Sequence, residues 1–239
     1  MYLKSIVIDS SKFPVRNRYP FNIRAINESE RIDISSSITI FTGENGSGKS
    51  ALLDAVARKS GFLPWGGSKI HRAHRNPFET QLANHVILDM EPRRPYGFHF
   101  RAEAFFNFAA SLDDILLDDP GRDEYYGGGS LNVLSHGESF LAFFRGYSFQ
   151  LGGLYILDEP EAALSPQNQV EFVRILMNNV LSGNKQYVIA TLSPIILACP
   201  GAQILSFDNR SIQPLGYEQT TTYNFYKEFM SDPMKYFVI

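Results

Sequence analysis

Residues 43–50 read GENGSGKS. A glycine, four residues, then Gly-Lys-Ser is a spacing suited to wrapping phosphate groups. Glycines at 43, 46 and 48 allow Glu44, Asn45 and Ser47 to turn backbone N–H groups around an anion, and a helix starting near Ala51 adds a favourable dipole. Lys49 would reach terminal phosphates as a point charge, and the Ser50 hydroxyl suits a Mg²⁺ ion. A second group, GLYILDEPEAALSP at 153–166, ends an apolar run with two adjacent carboxylates. Asp158 suits the shell of a Mg²⁺ ion, and Glu159 suits orienting or deprotonating an attacking water. A third group is LSHGES at 134–139, where Ser135 and the Gly137 backbone open an expected helix. This is either an ordinary N-cap or an anion site.

These residues need a scaffold that brings three distant segments together. Residues 2–9 alternate as a strand, and 11–30 read as loop. Residues 37–42 form a strand directly before the glycines, and 50–57 carry helical spacing directly after them. The stretch 61–95 is irregular and rich in Gly, Pro and basic residues, so it reads as an insertion over the core. A strand is expected at 97–101, an aromatic-rich helix at 102–117, a turn-rich loop at 118–130 and a helix over 137–150. The second half is more regular, with strands at 153–158, 186–191 and 203–207 and a helix at 166–181. Residues 211–215 suit a strand pairing beside the last of these, and 221–236 suit a closing helix pair. Strands alternating with helices imply a largely parallel sheet covered on both faces.

The 239 residues include 44% hydrophobic and 20% charged side chains, enough apolar content for a core and against wholesale disorder. A net charge of −3 argues against a protein that coats nucleic acid over its whole surface. The segment 58–101 is nevertheless basic and 113–124 acidic. A solvated face is the plainer reading of the basic block, because stacking aromatics are not clearly interleaved with it. A single cysteine, Cys199, excludes an internal disulfide and fits a reducing compartment, so a cytoplasmic location is expected. No run approaches the length of a membrane span, and the N-terminus lacks the pattern of a signal peptide.

Taken together, the three groups resemble the ATP-binding-cassette (ABC) ATPases. GENGSGKS is similar to the Walker A loop, LSHGE to the ABC signature, YILDEP to the Walker B strand with its glutamate, and EAALSP to the D-loop. The likeness is greatest to small stand-alone bacterial predicted ATPases sharing SHGES, YILDEPEAALSP and a tail like AQILSFDNRSI…YEQTTTY. Their heads resemble those of chromosome-maintenance and DNA-repair ABC ATPases more than transporter subunits. The resemblance implies an α/β P-loop NTPase fold with a mainly parallel core sheet, an N-terminal antiparallel β portion and a small helical subdomain. The whole of 1–239 would be one ABC-type domain, with about 61–137 an insertion plus the helical subdomain carrying the signature.

The resemblance further implies ATP and Mg²⁺ as ligands, Lys49 and Glu159 as catalytic residues, and Ser50 and Asp158 at the metal. It implies an ATP-dependent homodimer in which Ser135, Gly137 and Glu138 of one subunit meet the nucleotide held by residues 43–51 of the other. Two departures stand out, at the Q-loop and at the switch histidine, and one further element has two candidates. Where relatives carry a Q-loop glutamine, residues 98–107 read FHFRAEAFFN and offer Arg101 and Glu103. The upstream aromatic that stacks on adenine has two candidates, Tyr19 and Phe21. Where relatives read ATHSP, this chain reads ATLSP, so Leu192 occupies the position of a γ-phosphate-sensing histidine. A leucine supplies no donor, which predicts Mg–ATP binding with weakened turnover. His136 from the opposing subunit is one conceivable substitute, though a packing or surface role suits it better. The functions in view are an ATPase whose dimerisation is a switch, a nucleotide-dependent binding module with negligible hydrolysis, a transporter-type subunit and a DNA-associated ATPase.

Overall fold

A computed structural model of the chain describes residues 1–62, 76–92, 94–102, 136–146, 149 and 151–237. In chain order its strands are β1 (Leu3–Ile8), β2 (Arg31–Asp33), β3 (Ile38–Thr42), β4 (Val86–Met90), β5 (Gly97–Arg101), β6 (Gly153–Asp158), β7 (Lys185–Ala190), β8 (Gln203–Ser206) and β9 (Gln213–Leu215). The helices are α1 (Arg24–Asn27), α2 (Lys49–Lys59), α3 (His136–Arg145), α4 (Pro166–Leu181), α5 (Pro194–Leu197) and α6 (Thr221–Ser231).

The strands form a small antiparallel sheet, β2-β1-β4, and a larger one ordered β5-β6-β7-β3-β8-β9. The larger sheet is parallel from β5 through β8, and β9 pairs antiparallel with β8. Every residue of β3, β6 and β7 is buried. That matches their near-continuous apolar runs, since parallel strands are covered on both faces. On one face Phe41, Leu154, Ile156, Val188 and Leu205 pack against α2 and the antiparallel sheet. On the other, Phe98, Phe100, Tyr155 and Tyr187 pack against Phe140, Phe143 and Phe144 of α3 and Phe172 of α4.

Two glutamines of the large sheet fasten the small one to it. Gln186 of β7 is fully buried; its Oε1 accepts the Tyr2 and Leu3 N–H groups at 2.9 and 2.7 Å, and its Nε2 donates to the Leu3 carbonyl at 2.8 Å. Gln203 of β8 accepts the Ser35 N–H at 2.8 Å and donates to the Asp33 carbonyl at 2.9 Å. Each amide thus satisfies backbone groups beyond the reach of a strand ladder, and those that Gln186 meets at Leu3 would otherwise be costly to bury.

Serine or threonine opens three of the helices. Ser165 accepts from Asn168 N–H ahead of α4, Ser193 from Ile195 and Ile196 ahead of α5, and Thr220 from Tyr223 ahead of α6. Pro166 and Pro194 occupy first-turn positions where a missing N–H is harmless.

Several expectations are corrected. The stretch 61–95 is not wholly an insertion: Val86–Met90 is a full strand, β4, paired antiparallel with β1. Residues 11–30, read as loop, contain the short helix α1. The helix expected over 137–150 runs from His136 to Arg145. The closing helix pair is one helix, α6, followed by a 3₁₀ turn at Pro233–Tyr236. The helix expected at 102–117, the loop at 118–130 and the helical subdomain lie outside the described residues. Among the described residues, no helix is long and apolar enough to cross a membrane.

Candidate nucleotide site

Strand register sets the site. Arg101 of β5, Asp158 of β6 and Ala190 of β7 are successive partners across the sheet, and Phe41 of β3 pairs Ala190. One more step reaches Ser206 of β8, which pairs Thr42. The phosphate loop, Glu159, Leu192 and Asp208 therefore all leave the same carboxyl edge of the sheet, where α/β proteins place ligands.

Residues 43–48 turn between β3 and α2. Gly48 has φ 106° and Gly46 φ 82°, and a Cβ on Gly48 would fall 2.9 Å from Ile23 Cγ2. Only glycine fits that backbone so close to a neighbouring side chain. Lys49 opens α2 with its side chain buried, and its Nζ donates to the carbonyls of Gly43 at 2.5 Å and Glu44 at 3.0 Å. Burial lowers its pKa, while the carboxylates of Glu159, Asp208, Asp158 and Glu161 pull the other way. Ser50 Oγ donates to Asp158 Oδ1 at 2.8 Å. Two hard oxygen donors thus sit together beside the phosphate loop, the donor set a Mg²⁺ ion takes when phosphates complete its shell.

Arg101 Nε lies 3.6 Å from Asp158 Oδ2, and its Nη2 lies 3.4 Å from Asp54 Oδ1. Asp54 also holds Arg58 Nε at 2.6 Å. Glu159 has left-handed backbone angles, φ 51° and ψ 52°. Its N–H donates to the Ala190 carbonyl at 2.9 Å and its carbonyl accepts from Ala162 at 3.1 Å. A left-handed non-glycine residue costs about 1–2 kcal/mol, and these two bonds hold it there, leaving the side chain exposed.

Two cavities flank the loop. One, of about 370 Å³, is lined by Ser50, Asp158, Glu159, Arg101 and Tyr19. The other, of about 430 Å³, is lined by Gly46, Ser47, Asn22, Asp208 and Tyr19. Tyr19 is 42% exposed and borders both, whereas Phe21 is fully buried against Phe13, Phe78 and His85. Of the two aromatic candidates, only Tyr19 has a face to offer a ligand.

The first part of the chain matches a known family: the AAA domain family aligns with residues 21–58, which include the phosphate loop and α2. No curated protein matches the sequence. Among solved structures, the SMC head domain from Thermotoga maritima is similar at 16% identity, over 90% of this chain and 100% of that one, with a TM-score of 0.50. CbiO1 from Clostridium perfringens, part of the ABC transporter complex cbiONQ, is similar at 14% identity, over 98% of this chain and 97% of that one, with a TM-score of 0.51. The fold is that of an ABC-type ATPase head. The mainly parallel core and the antiparallel N-terminal portion are the parts of it seen here.

Within this ABC-type head, the structure brings residues 43–51, Asp158, Glu159 and the Leu192 backbone to one edge. Gly137 and Glu138 sit in the first turn of α3, and neither lines the two cavities beside the loop. A Cβ on Gly137 would fall 2.5 Å from Asn168 Nδ2, so glycine lets α3 begin directly against the first turn of α4. Ser135 and Glu103 lie outside the described residues.

Two residues of the site escape the sequence reading. Asp208 Oδ1 accepts the Glu44 N–H at 2.7 Å and its Oδ2 accepts the Thr221 hydroxyl at 3.2 Å, tying the phosphate loop to the start of α6. Its position just past β8, on the edge that delivers Asp158, is a signal that could have found it. Glu161 accepts the Leu192 N–H at 2.8 Å. Nothing in its own segment announces that contact.

Proposed function

We propose that the chain is a Mg²⁺-dependent ABC-type ATPase that binds ATP at residues 43–51 and uses ATP-driven pairing of two copies as a switch. The observation that carries this reading is the Ser50–Asp158 hydrogen bond beside the buried Lys49. It joins the phosphate loop to the end of β6 through the groups that a Mg–nucleotide needs. The cavity bordered by Tyr19, Asn22 and Asp208 suits the nucleoside, and the one bordered by Ser50 and Glu159 suits the terminal phosphate and its water.

Ser50 and Asp158 would hold Mg²⁺, which neutralises charge between the β- and γ-phosphates. Lys49 would exchange its carbonyl partners for phosphate oxygens. Glu159 would orient a water for in-line attack on the γ-phosphorus; the bond to the bridging oxygen breaks, and ADP and phosphate leave. Arg101 stands where a Q-loop glutamine would be expected and already holds Asp158, so it would steady that carboxylate. The position of Gly137 and Glu138 away from their own loop's cavities supports a role toward a second subunit. The domain is read as one unit, 1–239, with the insertion and helical subdomain confined to the parts of about 61–137 that lie outside β4 and β5. A cytoplasmic setting suits the free, buried Cys199.

The test is Glu159→Gln, which keeps the shape and removes the base. With ATP and Mg²⁺ it should run as a stable dimer by light scattering at micromolar concentration, and a monomer under those conditions overturns the switch. Leu192 favours a second reading, a nucleotide-dependent module that hydrolyses little. One well-placed donor is worth about 2.7–4 kcal/mol at comparable sites, so Leu192→His should raise turnover by about 10²-fold or more. Turnover that is brisk in the wild type and unmoved by Leu192→His removes this second reading.

A further inference from the structure

We propose that Glu161 is a positioning residue for Glu159, acting by locking the turn after β6 to the loop after β7. The inference rests on the ATPase reading above.

Three fastenings join the two segments. The Glu159 N–H donates to the Ala190 carbonyl at 2.9 Å. The Leu192 N–H donates to Glu161 Oε1 at 2.8 Å. Ser193 Oγ donates to Gln169 Oε1 at 2.5 Å, and Gln169 Nε2 donates to the Leu164 carbonyl at 3.0 Å. The segment 159–169 and the loop 190–193 therefore close a ring of hydrogen bonds, with Glu159 and its left-handed backbone at one end.

Glu161 is the only carboxylate in that ring that spends an oxygen on the loop's backbone. Its Oε2 is shut off from solvent and, among the described residues, has no hydrogen-bond partner in good geometry. Burial raises its pKa, against which the nearby Thr191 hydroxyl and the Leu192 N–H favour the charged form. Burying such a group is costly unless hydrogen bonds offset the lost hydration, and the Leu192 N–H supplies one. What it fixes is the backbone of Leu192, a residue whose side chain offers no polar handle. Its field also reaches Lys49, so the carboxylate belongs electrostatically to the site.

The test compares wild type, Glu161→Ala and Glu161→Gln as full chains. Two readouts are used: amide hydrogen exchange with and without Mg²⁺ and adenylyl imidodiphosphate, and steady-state ATP hydrolysis. Alanine removes the acceptor, whereas glutamine keeps a carbonyl oxygen for the Leu192 N–H. Glu161→Ala should speed exchange over 190–193 and lower kcat by about 10-fold or more, with KM within about 2-fold of wild type. Glu161→Gln should restore both exchange and kcat to within about 3-fold of wild type. If the wild type binds nucleotide but turns over undetectably, kcat is compared in the Leu192→His background. The proposal is overturned if Glu161→Ala matches wild type in exchange and kcat, or if glutamine is as damaging as alanine. An absence of nucleotide protection over 43–51 in wild type instead sinks the ATPase reading, and this proposal with it.

Discussion

On the α2 side of the large sheet, small side chains such as Ala51, Ala55 and Ala57 meet Leu154, Ile156, Val188 and Ala190. On the α3 side, rings fill the space: Phe144 stacks among Phe100, Phe140, Phe149 and Phe172, with centroid separations of 4.3–5.4 Å. The α2 side also embeds polar groups, among them His99, Gln186, Asp54 and Lys49. Small residues bring the α2 backbone close to the sheet, which is what a loop binding through its N–H groups requires. Rings make a thicker layer, and above it lies α3, with Gly137 in its first turn. The face near the chemistry is held by hydrogen bonds and backbone proximity, and the opposite face by apolar volume.

Phe144→Ala is the strongest way to break that contrast. Truncating a buried phenylalanine costs about 3–5 kcal/mol, which urea unfolding will read directly. Nucleotide affinity of the remaining folded molecules should stay within about 2-fold, because α2 and the loop lie on the other face. A parallel fall in affinity would show that the faces are not separable.

A smaller effect comes from His99, on the α2 side. It is fully buried, neither ring nitrogen has a hydrogen-bond partner among the described residues, and burial lowers its pKa from 6.5 to about 4, helped by Arg101. The unfolded chain binds this proton more readily, so the stabilising neutral state is fully effective above pH 6.5 and its contribution falls as pH drops toward 4. The loss across that window is about 3 kcal/mol at most. His99→Phe should flatten this part of the acid limb in pH-dependent unfolding; an unchanged slope would assign the limb to other groups.

Gln186→Ala should have the mildest effect. It leaves the Tyr2 and Leu3 N–H groups without their acceptor and should cost about 2 kcal/mol. Hydrogen exchange should rise at residues 2–8 before it rises in β3. Uniform loosening of both sheets would show that Gln186 does more than join them.

Much of the site was readable because parallel strands bury both faces. Their apolar runs stand out, and whatever follows them leaves one edge; Asp158-Glu159 ends such a run, and GENGSGKS adds its own spacing to the same position. β4 was hidden because VILDM is only partly covered, with Ile87 60% exposed, and prolines at 92 and 95 follow it closely. The contacts of Asp208 and Glu161 were hidden for another reason, although the place of Asp208 just past β8 marks it for the same edge. Their partners, Glu44 and Leu192, lie 164 and 31 residues away, and no local pattern encodes such contacts.

The position of β3 has a consequence for biosynthesis. This strand is made early, yet both its neighbours in the sheet, β7 and β8, arrive only with residues 185–206. Tyr2 and Leu3 likewise wait for Gln186. On the ribosome, residues 43–48 therefore emerge long before either neighbour of β3, and a chain stopped short of β7 carries them with neither. Under the proposed function, a copy stopped before residue 185 should neither capture ATP nor pair with a completed one.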